Sequence, residues 1–135
     1  MRITVIQRGA LKDRQLAPLI DEYAKRFSRF GKLTIKESKR PEWPSGHYRV
    51  LCDEHGTQPT SVVLAHKLEQ WSIHHGAICF AIGDADGHDA DFAEAAHERF
   101  ALSALTFPHR IAHLLLIEQI YRAGCILAGH PYHHA

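Results

Sequence analysis

A chain of 135 residues, with 45% hydrophobic and 23% charged side chains and a formal net charge of +1, has the composition of one globular domain. It is long enough to bury a core without a disulfide or metal staple. No apolar run reaches the roughly 18 residues of a membrane span, and residues 1–10 lack the apolar stretch of a signal peptide. Cys52, Cys79 and Cys125 lie in apolar segments without CxxC spacing, so they read as free thiols in a reducing compartment, and the cytoplasm is the expected location.

The small net charge conceals an uneven distribution. Residues 1–40 carry eleven Lys and Arg against four acids, and residues 41–135 carry five against eleven. Such a basic first third is either a solvated face or an electropositive surface that gathers a polyanion. Histidine is also uneven: there are twelve, none before His47, and five of them fall at or after His109.

In chain order, Arg2 to Gln7 is β-branched-rich and predicts a strand ending at Gly9. Leu16, Leu19, Ile20, Tyr23, Phe27 and Phe30 recur at helical spacing, with Lys25, Arg26 and Arg29 outside and a stop at Gly31. Lys32 to Ser38 alternates as a half-exposed strand. A loop with Pro41, Pro44 and Gly46 leads to a short strand, Tyr48 to Cys52, and Asp53 to Pro59 reads as polar turn. Thr60 or Ser61 caps a helix running to about His74. The unbroken apolar run Ala77 to Ile82 is the pattern of a strand buried on both faces of a parallel sheet. A turn from Gly83 to Gly87, a helix from Asp89 to Phe100 and a short strand from Leu102 to Phe107 follow. Pro108 opens a last helix that is apolar nearly all round and ends at Gly129, which predicts a buried helix or an oligomer interface. Alternating strands and helices predict a parallel-rich sheet with helices on both faces.

Ligands of such sheets settle beyond the carboxyl ends of the strands. The turns after Ile82 and before Pro108 are therefore the candidate sites. Gly83-Asp84-Ala85-Asp86-Gly87 is not a dinucleotide or P-loop fingerprint, and its acids would repel a polyphosphate. There is no G-x-S-x-G elbow and no cysteine nucleophile motif. His109 and His113 have zinc-ligand spacing but lack the glutamate of H-E-x-x-H, so a metal is not expected.

Leu102-Ser103-Ala104-Leu105-Thr106-Phe107-Pro108-His109, Glu118-x-x-Tyr121-Arg122-Ala123 and the terminal His130-Pro131-Tyr132-His133-His134 together resemble the bacterial RlmH family of ribosomal RNA large-subunit methyltransferases. The resemblance implies a SPOUT-type α/β fold with a C-terminal trefoil knot, a homodimer, S-adenosyl-L-methionine as cofactor, and methylation of N3 of a pseudouridine in 23S ribosomal RNA. It implies cofactor contacts at Cys52, Gly83 and the run Leu102, Ser103, Ala104, Leu105, Thr106 and Phe107, with Tyr132 and His133 at the target base. Of those two, His133 is the expected general base and Tyr132 holds the base in place; Arg26, Arg29 and His134 are the expected RNA contacts. Three departures stand out. Asp84 puts a carboxylate where the family has no side chain, and His134 replaces the usual terminal cation. Between Lys39 and Tyr48 a segment of the family, including a helix, is missing. Two other readings stay open here: an RNA-binding SPOUT-like dimer that has lost catalysis, and a histidine-rich metal-binding protein.

Overall fold

A computed structural model describes residues 1–83 and 87–134 of the chain. It contains a five-stranded sheet in the order β2-β1-β4-β3-β5, formed by β1 (Arg2–Arg8), β2 (Lys32–Ser38), β3 (His47–Thr57), β4 (Ala77–Ile82) and β5 (Glu98–Phe100). Every neighbouring pair is parallel. The helices are α1 (Ala17–Phe27), α2 (Ser61–His75), α3 (Ala90–Glu94) and α4 (His109–Ala128). The β4 strand lies at the centre and all six of its residues are buried, which is why its sequence carries no alternation.

The sheet is covered unequally. Ile3, Val5, Val50, Ile78 and Phe80 form one core with Ile20 of α1, Leu68 of α2 and Leu116, Ile117 and Ile120 of α4. Right-handed crossovers explain the grouping. The β1-to-β2 and β3-to-β4 steps run the same way along the sheet, so α1 and α2 share a face, and α4 packs against both. The β2-to-β3 and β4-to-β5 steps run the other way, which places the connection 39–46 and the short α3 on the opposite face. Helices do lie on both faces, but among the described residues the second face has only one, five residues long.

Several boundaries differ from expectation, each for a tertiary reason. The α1 helix ends at Phe27 rather than Phe30, because the chain tightens (Ser28 N–H to Lys25 O, 3.1 Å) and turns the Phe30 ring onto Tyr121. The polar stretch after Cys52 is strand, not turn. It continues β3 along the sheet edge, where a register shift lets both Cys52 and Thr57 pair with Phe100. The expected helix from Asp89 to Phe100 is only α3, and Glu98–Phe100 is strand β5. Leu102 to Phe107 is loop rather than strand.

By length and composition α4 could cross a membrane, with a mean hydropathy of 1.4. Its packing gives that apolarity another use, since His113, Leu116, Ile117, Ile120 and Tyr121 are buried. Gly129 stops the helix in the left-handed conformation at φ +70°. There Gly129 N–H reaches Ile126 O and His130 N–H reaches Cys125 O at 2.9 Å, the paired bonds of a Schellman turn. That turn sends the tail back along α4.

Candidate functional site

Beyond the carboxyl ends of β4 and β5, and beside Leu51 to Glu54 in the middle of β3, lies a cleft of about 430 Å³, within the range of small-molecule sites. Its floor is the end of β4 and the start of the next turn, where Gly83 and Gly87 meet. A Cβ on Gly83 would stand 3.0 Å from the Gly87 Cα, and Gly87 has φ +75°. Both positions therefore favour glycine, one by crowding and one by backbone conformation. Asp84 lies outside the described residues. Cys52 and the loop residues Leu102, Ser103, Leu105, Thr106 and Phe107 line the same cleft; Ala104 of that loop does not.

The chemistry of the lining is selective. Among the described residues it contains no lysine or arginine, and its carboxylates are Asp53 and Glu54. Asp53 is paired with Arg99 at 3.0 Å, and Glu54 Oε1 lies 3.6 Å from His55 Nε2. Such a site rejects polyphosphate and suits a ligand with an apolar ring and a positive centre. Burial, with Cys79 and Asp53 nearby, pushes the Cys52 thiol far above its ordinary range, so it stays protonated and offers no nucleophile. The Ser103 Oγ accepts from Leu105 N–H at 3.0 Å, bracing the loop.

The opposite cleft wall is residues 87–93, and it is held by donors from outside. Arg8 Nη1 donates to Gly87 O at 2.6 Å, Trp43 Nε1 to Phe92 O at 2.9 Å, and Arg99 Nη2 to Ala93 O at 3.3 Å. Sequence reasoning missed all three side chains. The available signal was Trp43 itself, a large aromatic between Pro41 and Pro44 in a stretch otherwise read as loop.

The terminal residues gather elsewhere. Tyr132 OH donates to Glu118 Oε1 at 2.9 Å, and its ring meets the Tyr121 ring edge-on at 4.8 Å. Arg122 donates twice to the same carboxylate oxygen, at 2.6 and 3.1 Å, and lies over the Tyr132 ring. Burial and the bonds to Tyr23 and Glu118 raise the Tyr132 phenol above its usual range, so it acts as a neutral donor. Arg122 Nη1 is 3.0 Å from His133 Nδ1. A guanidinium has no acceptor, so His133 Nδ1 takes the hydrogen bond and Nε2 carries the ring hydrogen. The tail is thus anchored, not frayed.

The expected RNA contacts adjoin it. The Arg26 guanidinium lies 5.4 Å from the Tyr23 ring and 6.0 Å from Tyr121, and is paired with Glu22 at 2.7 Å. Arg29 sits over Phe30, and His134 is exposed. One surface of α1, α4 and the tail therefore carries both sets. The cleft is separate: His109 and Ala112 line it, whereas the tail docks at Glu118 and Arg122. At 1.5 Å per residue, His109 and Arg122 stand roughly 20 Å apart along the helix. Among the described residues no three His, Cys, Asp or Glu side chains converge as a metal site, and His113 is buried within the core.

A family model described as "Predicted SPOUT methyltransferase" matches residues 1–133. The chain belongs to the SPOUT methyltransferase family. The ribosomal RNA large subunit methyltransferase H of Neisseria meningitidis is 38% identical over 155 aligned positions, covering 98% of this chain and 99% of the relative. That of Delftia acidovorans is 41% identical over 133 positions, covering 84% and 86%. Among solved structures, a "Probable Methyltransferase" from Bordetella pertussis Tohama I superposes with a TM-score of 0.58 at 10% identity, over 90% of this chain and 94% of the other. A "probable methylase family protein" from Haemophilus influenzae gives 0.60 at 9% identity, over 98% and 70%. At such low identity these two structures speak to the fold. The cleft's apolar, backbone-rich lining, with no lysine or arginine among its described residues, fits S-adenosylmethionine, whose sulfonium and ammonium are both positive.

Proposed function

We propose that this SPOUT methyltransferase uses S-adenosylmethionine to methylate N3 of a pseudouridine in large-subunit ribosomal RNA. The observation that carries the reading is the meeting of Cys52, Gly83 and the loop from Leu102 to Phe107 around one cleft whose described residues include no lysine or arginine. The names of relatives aligned over nearly the whole chain supply the substrate class.

When bound, S-adenosylmethionine supplies a methyl group on a sulfonium that departs as a neutral thioether. The chain's own work is positioning and proton handling. Backbone groups of the loop and of Gly83 fix the cofactor, and the apolar floor keeps water out. Tyr132 and His133 face the acceptor base, with the phenol as donor and the imidazole as the group that takes the N3 proton. For that, His133 Nδ1 must exchange Arg122 for the base, since the other ring nitrogen already bears hydrogen.

The roughly 20 Å between tail and cleft supports a homodimer in which the tail of one copy completes the cleft of the other. Half-buried Ile111, Leu114, Leu115, Ile126 and Leu127 on α4 leave apolar surface for a second copy. Arg26, Arg29 and His134 lie beside the tail and would hold RNA phosphates. On this reading the protein works with ribosomes in the cytoplasm.

The test is transfer of labelled methyl from S-adenosylmethionine to purified large subunits and whole ribosomes, followed by nucleoside mapping and light scattering of the free protein. Label at N3 of one pseudouridine and a dimer mass are expected. Label on another nucleotide overturns the substrate, and a monomer overturns the shared site.

A further inference from the structure

The alignment with the Neisseria relative runs over 155 positions, whereas this chain has 135 residues, so the relative carries segments that this chain lacks. Between β2 and β3 only residues 39–46 remain. They must pass two strands, a lateral distance of roughly 14 Å. They must also return from the level of Arg8, the partner of Ser38, to that of Arg2, whose β4 partner Ala77 also pairs His47. That adds roughly 20 Å along the sheet. The diagonal is then about 24 Å, and nine residue steps reach at most about 30 Å when fully extended. A helical turn would not span it. The connection is a short strap across the second face of the sheet.

The strap meets the cleft wall at one side chain. The Trp43 indole stacks on Phe92 with ring centroids 4.4 Å apart and planes within 2°, and its N–H holds the Phe92 carbonyl. Phe92 in turn contacts the His88 ring at 4.7 Å, and His88 lines the cleft, as does Ala93 beside Phe92. The wall has little to stand on by itself, because no side chain of α3 is buried. Arg8 and Arg99 tether its ends from β1 and β5. Trp43 gives it an apolar backing.

We propose that Trp43 is a positioning residue for the cofactor cleft: the strap presses its indole against Phe92 and thereby fixes the wall formed by residues 87–93. The proposal rests on the cofactor reading given above. A wall left loose must be ordered by the ligand as it binds, and affinity falls by that cost. The stack and the hydrogen bond contribute separately, so a phenyl ring keeps part of the effect.

Calorimetry with S-adenosylmethionine and backbone hydrogen exchange on the free protein test this with wild type, Trp43→Ala and Trp43→Phe. Trp43→Ala is expected to weaken cofactor binding about tenfold or more, and Trp43→Phe only a few-fold. Exchange at residues 87–96 should quicken in Trp43→Ala while β1 and β4 stay protected and ribosome affinity is unchanged. A wall that quickens while cofactor affinity stays at the wild-type value overturns the proposal, as does a wall unchanged by either substitution. If wild type does not bind S-adenosylmethionine, the cofactor reading fails and the proposal with it. Exchange on the free protein separates that outcome from a failure of the strap.

Discussion

Arg122 holds His133 through its Nδ1 atom at 3.0 Å while its other nitrogens grip Glu118. Glu118 raises the affinity of Arg122 for its proton, so the guanidinium remains a donor throughout the working pH range. The imidazole is consequently held as one neutral tautomer. Nitrogen NMR on protein labelled in histidine should show His133 with hydrogen on Nε2. Arg122→Ala should give a mixture of tautomers and lower kcat by about two orders of magnitude, the usual scale of a misplaced acid–base group. A single tautomer that survives in Arg122→Ala would show that another neighbour orients the ring.

Deletion from Tyr132 onward removes the bond to Glu118 and the edge-on packing with Tyr121. Together these contribute roughly 1–2 kcal/mol, so the shortened protein should fold with a modestly lower Tm. Its cofactor affinity should stay close to wild type, because the cofactor is held by Cys52, Gly83 and the loop after Leu102, while the partner's tail brings groups that face the acceptor base. Methyl transfer should be abolished. Full activity of the truncated protein in a ribosome assay would reduce the tail to a structural brace.

His113 predicts an acid limit to stability. Burial lowers its pKa from 6.5 to about 4, so between those values the unfolded chain binds a proton that the native state refuses. Stability therefore rises with pH across that window and falls as pH drops through it. Between pH 7 and pH 5 the loss is roughly 2 kcal/mol from this group. Urea titrations at the two pH values should show it, and His113→Leu should flatten the difference. An equal pH dependence in the variant would assign the effect to other groups.

Arg26 and Arg29 are exposed beside the tail. Replacing both with Ala should weaken ribosome binding. The slope of log affinity against log salt should also fall, by about one unit for each phosphate that an arginine no longer neutralises. Cofactor affinity should stay the same. An unchanged slope would make Arg26 a partner of Glu22 alone.

The amino-acid sequence by itself determined the parallel core. The unbroken apolar run from Ala77 to Ile82 can only be satisfied between two covered faces, and the three- and four-residue spacing from Leu16 to Phe27 forces one apolar stripe onto the sheet. The turn after Ile82 and the one before Pro108 were legible as candidate sites from their place at strand ends, whereas the run from Leu102 to Phe107 as a cofactor contact came from the family resemblance. Tertiary structure decided the rest. The polar residues after Cys52 became strand because Phe100 offered them an edge, although their composition argued for a turn. The helix expected after Asp89 stopped at Glu94, and the chain then entered β5. Trp43 and Phe92 stand 49 positions apart, and periodicity carries no information about which loop crosses which face. The pairing of Arg122 with His133 likewise depends on the left-handed Gly129, which turns the tail back on its own helix. Local patterns report which surface a segment must bury; only the closed fold fixes what that surface meets.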